Sequence, residues 1–230
     1  MKIIGLSGLA GAGKDLFYDL CSEELKKRRY IACSLALAAE LKRECKPAIK
    51  TMFNIDPTSC SREEKDKIRD FLVFFGQFRR KETKGQYWTL KANNKIEALK
   101  KNFSTNNIIN PVCFITDVRY DEYASDEVYW VQNHHDGLLV HLRKRQITIS
   151  ESGKRKDLYE KAINKHEKEN DPKIRGRADV CIEWPNCRND KKLIQEYLRP
   201  VVMEFIDQHI TRKEYAKKNM EQRKSQGITQ

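Results

Sequence analysis

Apolar and polar positions along the chain switch between two periods. Short β-branched or continuous apolar runs at Lys2 to Leu6, Tyr30 to Ser34, Val112 to Thr116, Leu138 to Leu142 and Val180 to Trp184 read as strands, several of them buried on both faces. Helical spacing between them predicts helices from Asp15 to Arg28, from Leu35 to Lys50 with an end near Pro47, and behind Ser61. Further helices are expected from Thr89 to Lys100, Glu122 to Asn133, Asp157 to Glu169 and Asp190 to Ile210, the last kinked or split by Pro200. Ser61-Arg-Glu-Glu64 is a capping box. Behind it Ile68, Phe71, Leu72 and Phe75 share one helical face that reads as core and ends at Gly76. Asn54 to Ser59, Ser104 to Asn110 and Ser150 to Gly153 read as loops, with turns at Gly85 and Gly137.

Strands alternating with helices predict an α/β fold in which a parallel sheet is flanked by helices. No repeat and no linker divides the 230 residues, so a single domain is expected over 1–230. Ligands of such sheets bind beyond the C-terminal ends of the strands. That rule brings the loop after the first strand, Asp117 and Arg143 to one rim.

Composition changes this picture in two ways. Hydrophobic residues make up 39% and charged residues 34%, and no apolar run reaches the length of a membrane span or of a signal peptide. The seven cysteines (Cys21, Cys33, Cys45, Cys60, Cys113, Cys181, Cys187) contain no C-x-x-C pair, and their odd number argues for a reducing, cytoplasmic setting. The net charge of +12 is concentrated late in the chain. Residues 143–177 hold twelve Lys/Arg against six Asp/Glu, and residues 211–230 six against two. Without interleaved aromatics, a lid that handles phosphate (143–178) and a solvated basic tail (211–230) are favoured over nucleic-acid binding, which stays open as an alternative.

The chemistry is concentrated at the first strand-to-helix junction. Gly8 to Lys14 fits G-x-x-x-x-G-K, with Gly11, Ala12 and Gly13 in the loop. Glycines let backbone N–H groups close around phosphate oxygens, Lys14 adds a point charge, and the following helix aims its positive end at the anion. Asp15 stands where a Ser or Thr usually ligates Mg²⁺, and two roles stay open for its carboxylate: holding the metal, directly or through water, or acting on the acceptor phosphate. Asp117, at the end of a buried strand, reads either as a metal- or water-orienting carboxylate or as a helix cap. Arg119 follows two residues later, within reach of an anion over the rim.

In order along the chain, these segments resemble the bacteriophage-type deoxynucleoside monophosphate kinases. The likeness is carried by Gly5-Leu-Ser-Gly8 through Gly13-Lys14-Asp15, Ser34 to Lys42, and Arg69 to Gly76 with Arg79, Arg80 and Trp88. Ile115-Thr-Asp117-Val-Arg119-Tyr, Leu138 to Arg143, His166-Glu167 and Ala178 to Ile182 complete it. The resemblance implies a P-loop kinase fold with a lid and an acceptor-binding helical region (35–100), and transfer of the γ-phosphate of ATP to a deoxynucleoside monophosphate with Mg²⁺. It implies Lys14, Asp15, Asp117, Arg119 and Arg143 as catalytic residues, and Gly8, Gly11, Ala12, Gly13, Lys14, Asp15 and Leu16 around the donor. Asp15 and Asp117 would hold the metal. Lys42, Arg69, Arg80, Trp88, Arg119, His166 and Glu167 would face the acceptor. From the residues alone, Arg79 competes with Arg80, Trp88 reads more readily as core, and His166 as a surface histidine. The chain departs from the family at Leu16, where a Thr is frequent, at Gln77, and at Asp121-Glu122-Tyr123, which replaces Pro-Asn-Glu. Small-molecule nucleotides are the expected partners, with a homodimer possible and no membrane. A P-loop kinase of another phosphorylated acceptor, such as phosphomevalonate, is the alternative enzyme.

Overall fold

A computed structural model describes residues 1–149, 155–188 and 190–211, the side chains of residues 147–149 and 155–156 excepted. The basic tail beyond residue 211 and the loop expected at Ser150 to Gly153 lie outside the described residues. The chain forms a mixed α/β structure around a six-stranded sheet. Its strands are β1 (Lys2–Ser7), β2 (Ile31–Leu35), β3 (Pro111–Ile115), β4 (Leu138–Ile149), β5 (Arg155–Tyr159) and β6 (Val180–Pro185). They lie in the order β2-β3-β1-β4, with β6 beside β4 in parallel register from Val140↔Val180 to Arg145↔Pro185. β5 pairs antiparallel with the far half of β4.

Alternation along β1 serves both faces. Ile4 and Leu6 point to one side, onto Phe17, Leu20 and Leu25 of α1 (Lys14–Lys27) and Val202 and Phe205 of the C-terminal helical arm. Ile3 points to the other, with Ile115 and Leu139, against Leu37 of α2 (Leu37–Phe53) and Trp88, Ala92 and Ile96 of α4 (Tyr87–Thr105). A smaller core of Cys45, Ile49, Ile68 and Leu72 joins α2 to α3 (Arg62–Glu82). All seven cysteines are free thiols. Among the described residues, no helix is long and apolar enough to cross a membrane.

Several elements differ from expectation for identifiable reasons. α2 runs through Pro47 and stops at Asn54, whose φ of 53° places it in the left-handed region favoured after a helix end. Burial of Cys45 and Ile49 on either side of the proline offsets the lost hydrogen bond. α3 does not end at Gly76: a Cβ there would meet Leu41 Cδ2 at 3.2 Å, and the Gly76 carbonyl accepts from Trp88 Nε1 at 3.1 Å. The glycine serves close packing. The expected helix at Asp157 begins only at α6 (Lys165–Arg177), capped by Asn164, because β4 continues past Leu142 and offers β5 an edge to pair with. The helix expected over Glu122 to Asn133 is short, with α5 confined to Glu127–Tyr129 and followed by a π-type turn Trp130–His134. Pro200 is absorbed without a break, because π-type stretches Ile194–Leu198 and Ile206–Thr211 flank the helix Arg199–Phe205.

Candidate functional site

The loop after β1 carries three glycines at positive φ, Gly8 (125°), Gly11 (87°) and Gly13 (90°). Two are also sterically required. A Cβ on Gly8 would lie 2.3 Å from the Leu142 carbonyl oxygen, and one on Gly13 2.7 Å from Trp184 Cζ2. Trp184 is fully buried and donates from Nε1 to the Ala12 carbonyl at 2.9 Å, clamping the loop to β6. Gly13→Ala is therefore expected to cost about 1–3 kcal/mol of stability through strain and the displaced indole, read as a lowered urea midpoint.

Lys14 opens α1 and folds back over the loop, donating from Nζ to the carbonyls of Gly8 (2.7 Å) and Leu9 (3.0 Å). Burial, and next the Arg119 guanidinium, lower its pKa to about 8. An anion bound in the loop favours the charged lysine. Above pH 8 each such binding event takes up a proton, so affinity falls as pH rises, by up to about tenfold per unit. Titration of ATP into the protein between pH 7 and 9.5 should show a plateau below 8 and weakening above it; a flat profile would contradict this. Asp15, in the first turn of α1, is exposed, with no hydrogen-bond or ion-pair partner among the described residues. Leu16, expected beside the donor, is half-buried and packs its side chain against the core.

Asp117 follows β3 and is buried, and its carboxylate is already engaged. Oδ1 accepts from the Leu37 N–H (2.7 Å) and Oδ2 from the Ala38 N–H (2.8 Å), the first two amides of α2. α2 has no side-chain cap of its own, so Asp117 caps it from 80 residues away. The structure thus gives Asp117 the capping task, and Asp15 is left as the carboxylate open to a metal at the loop. Among the described residues, no group of three metal-ligating side chains occurs. Asp117→Ala should cost about 1–3 kcal/mol and loosen the Leu37–Ala38 wall, measured by urea denaturation. Asp117→Asn, which keeps an oxygen acceptor, should cost less.

Beside the loop, a cleft opens between α2, α3 and the turn after β3. Lys42, Lys65, Arg69 and Arg119 line it, with an apolar wall of Leu37, Leu41, Leu72 and Val73 and with Arg80, Trp88, Tyr120 and Glu127 further along its lining. Burial and the nearby Lys42, Arg119 and Arg69 hold the Lys65 ammonium below its ordinary pKa. Arg69 meets Asp66, and Arg119 Nη1 lies 3.8 Å from Glu167 Oε1, a contact in which half the arginine side chain remains exposed. Such a concentration of positive charge calls for an anion.

Arg80 lines the cleft but is not a free ligand. It is 2% exposed, its guanidinium lies 3.6 Å from the centroid of the Tyr120 ring, and it pairs with Asp126 and with Glu122 at 3.1 Å. Trp88 is core, its indole N–H taken by Gly76. Arg79, its competitor in the sequence, pairs with Glu44 of α2 and with Glu82. Glu127 accepts from the N–H groups of Arg119 (2.6 Å) and Tyr120 (3.1 Å), so it sets the turn that carries Arg119, and burial raises its pKa to about 8.

A second cavity, on the β4 side of the loop, is lined by Leu9, Ala12, Arg143, Tyr159, Lys168 and Arg175, among others. Arg143 sits on β4 and is held by Glu183 (2.6 Å) and by the Tyr159 ring (3.8 Å to the centroid). At the start of α6, Glu167 donates its N–H to the capping Asn164 Oδ1 (2.9 Å), and its carboxylate accepts from the Ile163 N–H (3.2 Å). His166 is half-buried, and its carbonyl accepts from Asn170 Nδ2 at 3.1 Å. His141, 1% exposed, joins β4 to α6 through Asp171 at 3.0 Å.

Sequence reasoning missed Lys65, Tyr120, Lys168 and Arg175. Lys65 stands four residues before Arg69 and shares its helix face, a signal that was available. No protein-family model and no curated protein sequence matches this chain.

Proposed function

We propose that this chain is an ATP-dependent kinase of deoxynucleoside monophosphates, built on a P-loop kinase fold. One observation carries the reading. The glycine loop with Lys14 and the four-cation cleft open on the same rim, and Arg119 spans them: its charge bears on both Lys14 and Lys65. A donor polyphosphate in the loop and an acceptor phosphate at Lys42, Lys65 and Arg69 then meet at one guanidinium. Phosphoryl transfer asks for this arrangement: both partners held in line, and positive charge where negative charge develops.

Lys14 and the loop amides hold the donor phosphates, and the α1 N-terminus adds its dipole. Lys42, Lys65 and Arg69 neutralise and orient the acceptor phosphate. The apolar wall from Leu37 to Val73 takes the nucleoside. Arg143, Lys168 and Arg175 supply the cations of the lid side. Magnesium fits a site where one carboxylate, Asp15, adds to phosphate oxygens and water, and when bound it neutralises charge on the donor. The strand order with β1 between β3 and β4, and the loop at its C-terminal end, supports the fold reading. An ADP-release assay with ATP, Mg²⁺ and the common deoxynucleoside monophosphates tests the proposal. Turnover with phosphomevalonate instead would transfer the site to another acceptor class.

A further inference from the structure

The edge of the sheet holds two thiols face to face. β2 ends the strand order, and its register on β3 sets Cys33 directly opposite Cys113. Among the described residues, no other strand register opposes two cysteines. Both side chains point to the face covered by α2 and α4, where Cys113 is buried in the core and Cys33 borders it half-buried. Facing residues on neighbouring strands stand about 4.7–4.9 Å apart. A disulfide closes over Cα separations of roughly 4.4–6.8 Å. The two thiols thus already stand within bonding range through the backbone alone.

Buried cysteines are ordinarily inert, so reactivity needs access and an activated sulfur. Cys33 has access: it is part-exposed, on a strand paired on one side only. It is also activated. The hydrogen bond that Cys113 donates to it holds the Cys33 thiol below its ordinary pKa, although burial works the other way. The same bond, and then burial, push the Cys113 thiol far up. One sulfur is poised as the attacker, and its neighbour keeps its proton.

We propose that Cys33 and Cys113 form a hydroperoxide-reactive dithiol, with Cys33 the attacking sulfur and Cys113 the resolving one. The Cys33 thiolate attacks a peroxide oxygen. The O–O bond breaks, hydroxide leaves and takes up the proton Cys33 released, and a sulfenic acid remains. The Cys113 sulfur then attacks the Cys33 sulfur: an S–S bond forms, the S–O bond breaks, and the hydroxyl departs with the Cys113 proton as water. Two thiols lose two electrons, and one peroxide becomes two waters. Because the resolving sulfur is already in contact, the bond closes before a second peroxide carries Cys33 to the sulfinic acid. In a reducing setting the bond is transient, reopened by thiol exchange. Its place gives it a consequence. Cys33 stands four residues before Leu37, and Cys113 four before Asp117. Those two residues meet in the cap of α2, so the bond forms directly beneath one wall of the cleft.

Reaction of the reduced full chain with equimolar hydrogen peroxide, followed by blocking of free thiols, tryptic digestion without reductant and mass spectrometry, tests this. Peptides 30–42 and 102–119 carry one cysteine each, Cys33 and Cys113. They are expected joined, two hydrogens lighter, with two of the seven thiols lost and both regained in dithiothreitol. Cys113→Ala should leave a Cys33 sulfenic acid that dimedone traps, a species absent from the parent chain. Cys33→Ser should leave Cys113 unmodified. Circular dichroism shows whether each variant is folded, and the parent peptide map decides the proposal even where one is not. Seven unreacted thiols, a bond between other cysteines or between two chains, or Cys33 driven to the sulfinic acid with Cys113 still free would overturn it.

Discussion

Lys14→Ala should leave a folded protein whose phosphoryl transfer is lost, with kcat/KM lower by at least about 10²–10³-fold, the scale expected for one preorganised charge at a developing anion. The ammonium is held between two loop carbonyls, so no neighbour can replace it. Stability should move the other way or stay level. The pKa of Lys14 is lower in the folded chain than its ordinary 10.5, so the buried charge costs stability below pH 8. That cost fades between pH 8 and 10.5, and the alanine variant is free of it. Lys14→Arg should fail as well, because a planar fork does not fit the cradle of Gly8 and Leu9. Retained turnover in the alanine variant, or loss of turnover only through unfolding, would remove Lys14 from the mechanism.

Arg80→Ala should have the largest effect on stability, about 3–5 kcal/mol, because it leaves the buried Asp126 carboxylate without its counter-charge. Asp126 is fully buried and also receives the N–H groups of Glu122, Tyr123 and Glu127, so it cannot turn to solvent. At about 2–4 °C per kcal/mol for a chain of this size, the melting temperature should fall by roughly 10 °C. Arg80→Lys should recover only part, since a single ammonium replaces a fork that bonds two carboxylates and lies over Tyr120. Combining Arg80→Ala with Asp126→Ala should cost less than the sum of the two single changes, the sign of direct coupling. Additive losses, or a loss within about 0.5 kcal/mol as at an exposed site, would contradict the ion-pair account.

What was legible in the sequence was local. The β1–loop–α1 junction lies within about two dozen residues, and the glycines fall where positive φ is needed. The capping box of Ser61 and Glu64 formed as its spacing implied, with Glu64 N–H on Ser61 Oγ and Ser61 N–H on Glu64 Oε2. Where a task depends on a distant partner, the sequence left alternatives open. Asp117 could be read as ligand or cap, and only the meeting with Leu37 and Ala38 decides it. The resemblance implied Arg80 as a substrate contact, and its pairing with Glu122 and Asp126, more than forty positions away, shows only in the structure. The extension of β4 was missed because alternation fades past Leu142, where a strand paired with β5 no longer needs two apolar faces. Gly76 and Pro47 misled as helix breakers because packing outweighed local propensity.

The central claim is that the loop and the cleft serve one phosphoryl transfer, and one measurement addresses it directly. Phosphate moved from γ-labelled ATP should be followed with Mg²⁺ and each deoxynucleoside monophosphate, in the parent chain and in Arg119→Ala. The account predicts labelled diphosphate for at least one monophosphate, little release of free phosphate without acceptor, and loss of transfer in the variant with its fold intact. Label released to water at the same rate with or without acceptor, or transfer unaffected by Arg119→Ala, would contradict it.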